Sequence, residues 1–100
     1  MLTKEEALKL VLAKLQRMSP PDDPFVIIED YTIERPFGWV FFYNSKKFLE
    51  TGIFRYRLLG NGPIIVNKAT GTIESCGTGE TTEETIENYE KKTREDSRLT

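Results

Sequence analysis

The chain contains no histidine, an absence that removes the commonest general base and the commonest metal ligand together. Its one cysteine, Cys76, excludes an intrachain disulfide and a thiolate zinc cluster. Without an imidazole, that thiol also lacks the usual activator of a nucleophile. An unbridged chain reads as a protein of a reducing, cytoplasmic compartment. Long hydrophobic runs are missing too: nothing approaches the roughly 20 apolar residues that span a bilayer. The opening Met1-Leu2-Thr3-Lys4-Glu5-Glu6 turns charged at once and builds no apolar leader core. Nor is there an excess of cations. The chain carries 14 Lys and Arg against 16 Asp and Glu, a net charge of −2, which disfavours nucleic acid, whose binding rests on clustered cations neutralising phosphates.

The acidic residues carry no clear chemistry. Asp22-Asp23 and Glu29-Asp30 are adjacent pairs, yet neither has the ligand spacing of a calcium loop. An enzyme acting through Glu29 or Asp30 is the weakest of the functional readings. Gly77-Thr78-Gly79 precedes a helix start, but the Lys-Ser/Thr of a P-loop is absent and Glu80 follows at once. Neither a catalytic residue, nor a metal ligand set, nor a cofactor site is expected.

What the chain does have is a dense aromatic block. Gly38-Trp39-Val40-Phe41-Phe42-Tyr43 holds the only tryptophan in six positions. A run so short and so rich in aromatic and β-branched residues predicts a central strand. Around it the rest sorts into an α+β domain. Thr3 and Glu6 form a capping box, and Leu8, Val11, Leu12, Leu15 and Met18 recur at helical spacing, predicting a helix over 4–18. Pro20, Pro21 and Pro24 end it. A strand is expected from Phe25 through Ile33 to Glu34, a turn at Arg35-Pro36-Phe37-Gly38, and a returning strand over Trp39 to Tyr43. Ser45 to Thr51 reads as a loop, and Arg55 to Leu59 as a short edge strand. The turn Gly60-Asn61-Gly62-Pro63 precedes a strand at Ile64–Asn67, and a hairpin at Lys68-Ala69-Thr70-Gly71 leads into Thr72–Cys76. A second capping box, Thr81 with Glu84, opens a C-terminal helix whose Ile86 and Tyr89 share a face. The expected architecture is an N-terminal helix, an antiparallel meander of about four strands and a C-terminal helix. Residues 1–93 form one domain, and 94–100 a polar, frayed tail.

Trp39, Phe41 and Tyr43 point to one side of the strand and Val40 and Phe42 to the other. With both helices on one face of the sheet, the set they leave would form an exposed aromatic patch, unless the loop 44–62 folds over it. That loop is the one basic-aromatic segment. Lys46, Lys47, Arg55 and Arg57 alternate with Phe48, Phe54 and Tyr56, a pattern open to three readings: a solvated loop, a grip on an acidic partner, or RNA.

Two blocks resemble a known family. Gly38-Trp39-Val40-Phe41-Phe42-Tyr43-Asn44-Ser45 and Gly60-Asn61-Gly62-Pro63-Ile64-Ile65-Val66-Asn67-Lys68-Ala69-Thr70-Gly71 are similar to the hallmark segments of the YrhB-like proteins, the immunity protein 35 family of bacterial polymorphic toxin systems. The opening helix with Glu5-Glu6-Ala7, the Phe48-Leu49-Glu50-Thr51-Gly52 segment, and Gly77-Thr78 leading to Ile86, Tyr89 and Glu90 extend the likeness over about residues 3–90. The resemblance implies a small, non-catalytic cytoplasmic protein that binds and neutralises a toxin. The contact residues expected on that reading are Trp39, Phe41 and Tyr43, or Arg55 and Tyr56. A chaperone-like interaction module is the alternative, and dimerisation through a free sheet edge stays open.

Overall fold

In a computed structural model, residues 1–58, 62–77 and 79–99 are described, with side chains through residue 94. Helix α1 runs Lys4–Met18, bounded as its sequence predicts. The Thr3 side chain accepts from the Glu6 N–H at 3.2 Å, and Glu6 reaches back to the Thr3 N–H at 3.0 Å. Its buried line is narrower than the apolar stripe: Ala7, Val11 and Leu15 are enclosed, whereas Leu12 and Met18 stay exposed. Strands β1 (Phe25–Ile27), β2 (Ile33–Arg35), β3 (Gly38–Phe41) and β4 (Tyr43–Ser45) follow, then a short helix α2 (Lys46–Thr51). Strands β5 (Ile64–Asn67) and β6 (Ile73–Ser75) precede helix α3 (Thr82–Leu99), which opens on the Thr81–Glu84 capping box.

The four-stranded sheet has the order β2-β3-β5-β6, antiparallel throughout, and β1 pairs with β4 as a separate ribbon. The single strand expected from Phe25 to Glu34 is therefore two strands, parted by a 3-10 turn at Glu29–Tyr31. The registers show why. Ile27 faces Tyr43 and Ile33 faces Val40, so one side advances six residues while the other advances three. The turn absorbs the three extra residues as an oversized bulge. An odd insertion reverses the side-chain parity: Ile27 packs among the residues under α1, and Ile33 packs on the opposite face.

The helices do not share a face of the sheet, as the sequence reading had it. Trp39, Phe41, Ile64 and Val66 turn toward Ala7, Val11 and Leu15 of α1. Val40 and Ile65 turn the other way, against Ile86 and Tyr89 of α3, with Ile33, Phe37 and Phe42 around them. Both parities of the aromatic strand are thus consumed by helices, one on each side. The hairpin between β5 and β6 closes at Gly71, in the left-handed region at φ 75°. Asn67 ties this hairpin to α3: its Oδ1 accepts from the Ala69 and Thr70 N–H groups, and its Nδ2 donates to the Tyr89 hydroxyl at 3.2 Å. Of the expected turn at Gly60-Asn61-Gly62-Pro63, Gly60 and Asn61 lie outside the described residues, as do Leu59 and Thr78.

Candidate functional site

Burial overturns the first expected contact surface. Trp39, Phe41 and Tyr43 are 4 %, 0 % and 7 % exposed, because α1 lies directly on that side of β3 and β4. They belong to the core, not to an exposed aromatic patch. Arg55 and Tyr56 are placed differently. The expected edge strand there is a 3-10 turn, Phe54–Tyr56, and the expected loop over Ser45 to Thr51 is α2. Together they make a lobe projecting from the end of β4.

The lobe is pinned at both ends. Ser45, at the N-cap of α2, accepts from the Phe48 N–H at 3.2 Å and donates its hydroxyl to Asp23 at 2.5 Å. Asp23 also accepts from the Lys47 N–H at 3.1 Å, and Lys46 N–H donates to the Pro24 carbonyl. At the far end, Asn44 Oδ1 accepts from the Leu58 N–H at 2.9 Å, and Leu58 packs against the α1-side core. Gly52, at φ 70°, ends α2 in the left-handed conformation, with its N–H on the Phe48 carbonyl. Adjacent residues Asn44 and Ser45 therefore hold the start and the finish of a twelve-residue excursion, numbered 46–57.

Its surface joins exposed apolar side chains to cations. Leu49, Ile53 and Phe54 are 42 %, 46 % and 67 % exposed. The Lys47 ammonium and the Arg55 guanidinium lie 5.6 and 5.0 Å from the centre of the Tyr56 ring, and Arg57 lies 5.3 Å from that of Phe54. Arg55 also donates to the Tyr56 hydroxyl at 3.1 Å, and that hydrogen bond chiefly holds the phenol below its ordinary pKa. Sequence reasoning found the cations and rings of the lobe but missed Asp23, Asn44 and Ser45, which position it. The available signal was Ser45 bracketed with Gly52, an N-cap and a C-terminal glycine seven residues apart.

Asp23 gives the lobe a pH dependence. The Ser45 hydroxyl, foremost, and the Lys47 N–H hold its carboxyl below the ordinary aspartate value, against an opposing effect of burial. A depressed folded pKa contributes stability above the unfolded value of about 3.9 and loses it as pH falls through the folded one. In thermal melts from pH 7 to pH 3, wild type is expected to exceed Asp23→Asn at neutral pH, with the gap closing below about pH 4. A gap constant over the whole range would show that the charge on Asp23 does not support the lobe.

Elsewhere the surface offers little chemistry. Two open clefts of about 190 and 230 Å³ flank the start of α3 and share Gly77, Glu80 and Thr85. Glu80 lines both, which is unfavourable for a phosphate. Cys76 borders the larger, and burial pushes its thiol up, away from a reactive thiolate. Glu29 and Asp30 are exposed on the 3-10 turn. Among the described residues, no three His, Cys, Asp or Glu side chains are grouped to hold a metal ion, and no helix is long and apolar enough to cross a membrane.

Comparison with known proteins agrees in one direction. The model of the family described as immunity protein 35 matches residues 5–92. The chain is similar to the uncharacterized protein YrhB of Escherichia coli (strain K12), with 46% identity over 55 residues. That segment is 55% of this chain and 58% of the relative, so the match spans less than two-thirds of the relative's length. No solved structure matches.

Proposed function

The chain belongs to the immunity protein 35 family, and we propose that it neutralises a cognate bacterial toxin by binding it directly, in the cytoplasm, through the lobe that carries Arg55 and Tyr56. The family is one of immunity proteins, non-catalytic, so the protein works by occupying a surface. One observation carries the placement: on the lobe, exposed apolar side chains lie beside cations held over aromatic rings. Such mixed patches characterise the centres of protein interfaces, where Tyr and Arg are enriched. Pinning by Asn44, Ser45 and Asp23 matters for affinity. A segment already ordered before binding does not lose that conformational freedom on association.

The test is co-expression with the toxin domain encoded by the adjoining reading frame, scored by growth, followed by titration calorimetry on the purified pair. Wild type is expected to restore growth and to bind one partner tightly. Tyr56→Ala removes the ring on which Lys47 and Arg55 rest and is expected to weaken binding by about 1–3 kcal/mol, the usual cost at an interface anchor. No rescue by wild type, combined with suppression of aggregation of unrelated clients, would instead establish a chaperone-like module.

A further inference from the structure

The lobe's four cations are not equivalent. Lys46 is paired with Glu50 at 3.6 Å and Lys47 with Asp22 at 3.4 Å. Among the described residues, neither Arg55 nor Arg57 has a carboxylate within ion-pair distance. Each is held by a ring instead, Arg55 by Tyr56 and Arg57 by Phe54. A guanidinium lying over an aromatic ring is partly immobilised, yet the N–H groups along its edge remain able to take a carboxylate in a bidentate fork. Just before the two arginines in the chain, Ile53 and Phe54 are exposed and make the apolar part of the patch.

We infer that the toxin surface covered by this lobe is acidic: its carboxylates are received by Arg55 and Arg57 while Ile53 and Phe54 fill an apolar contact beside them. The inference rests on the toxin-binding reading and adds the chemistry of the partner. Charge complementarity carries it, since two guanidiniums held over rings and, among the described residues, without a carboxylate partner are best matched by fixed negative charge on the other side. A nucleic acid is the less favoured source of that charge. The rings a base could stack on are already engaged by cations, Phe54 by Arg57 and Tyr56 by Arg55 and Lys47. The acidic first turn of α3, Glu83 and Glu84, and the net charge of −2 also oppose the long-range pull on phosphates.

The experiment titrates the toxin domain of the adjoining reading frame, and separately a fluorescein-labelled 20-mer RNA, into wild type, Arg55→Glu, Arg57→Glu and Lys92→Glu. Thermal melts of each variant establish that it is folded. Each arginine reversal is expected to weaken toxin binding at least tenfold and to flatten its salt dependence between 50 and 500 mM NaCl. Lys92→Glu, on α3, is expected to stay within twofold of wild type. Toxin affinities within twofold of wild type for both arginine variants overturn the inference while leaving the immunity reading intact. Unchanged toxin binding together with lost RNA binding would reassign the arginines to phosphate. Failure of wild type itself to bind the toxin overturns the immunity reading and this one with it, and is visible before any variant is measured.

Discussion

Replacing Gly38 by alanine is expected to lower stability by about 3–5 kcal/mol and the thermal midpoint by about 15–25 °C, without touching any surface residue. Two independent constraints meet at this position. Gly38 sits at φ +147°, a backbone conformation that L side chains rarely adopt and that costs on the order of 1–3 kcal/mol when forced. A methyl group there would also stand 2.0 Å from the Val66 carbonyl oxygen and 3.0 Å from the Lys68 nitrogen. Both obstacles are backbone in the adjoining strand and its hairpin, so relief requires β3 and β5 to separate at their Gly38–Asn67 pair. Those two strands form the centre of the sheet, with α1 packed on one side and α3 on the other. The check is a differential scan of both proteins beside urea denaturation. A midpoint within 5 °C of wild type would mean that β3 and β5 part easily here, and the central pairing would lose its assigned weight.

Gly38 also shows how far the sequence could be read. Gly-Trp before an aromatic run marks a strand start, and the glycine looks like ordinary turn punctuation. Its actual reason, close passage of another strand, is a long-range fact that no local pattern encodes. Elements with local determinants were legible: α1 and α3 through their capping boxes, and the β5–β6 hairpin through Gly71. The 3-10 turn at Glu29–Tyr31 was not, because its cause is a three-residue mismatch with the opposite strand. The same limit governs the site. Arg55 and Tyr56 stood out as a basic-aromatic pair, whereas Asp23 looked like one half of an exposed acid pair. Only folding brings Asp23 to Ser45, 22 residues away in sequence. Which aromatic face is covered is likewise decided by the helices landing on opposite sides, and alternation alone cannot choose between that and a shared side.

That choice makes the most diagnostic prediction a contrast between two aromatic residues. Phe41→Ala is expected to cost about 3–5 kcal/mol of stability, the range for deleting a phenyl ring from a packed core. Phe41 is fully enclosed, paired with Ile64 of β5, and gathered with Val11, Leu15 and Tyr43 beneath α1. Its removal leaves a cavity between β3 and α1 that a rigid, close-packed interior fills only partly. Urea melts are expected to show the transition moving to lower denaturant with an unchanged slope, the mark of lost stability rather than altered compactness. Below the melting range, toxin affinity per folded molecule is expected to match wild type, since the enclosed ring lies outside the proposed contact surface. Tyr56→Ala should behave oppositely, with a small change in stability, of the ~0.5 kcal/mol order usual for surface sites, and most of its effect in affinity. A Phe41→Ala protein that melts like wild type yet no longer binds toxin would place the aromatic strand itself at the interface. It would require α1 to leave the sheet on binding, because Val11 and Leu15 occupy the space a partner would need.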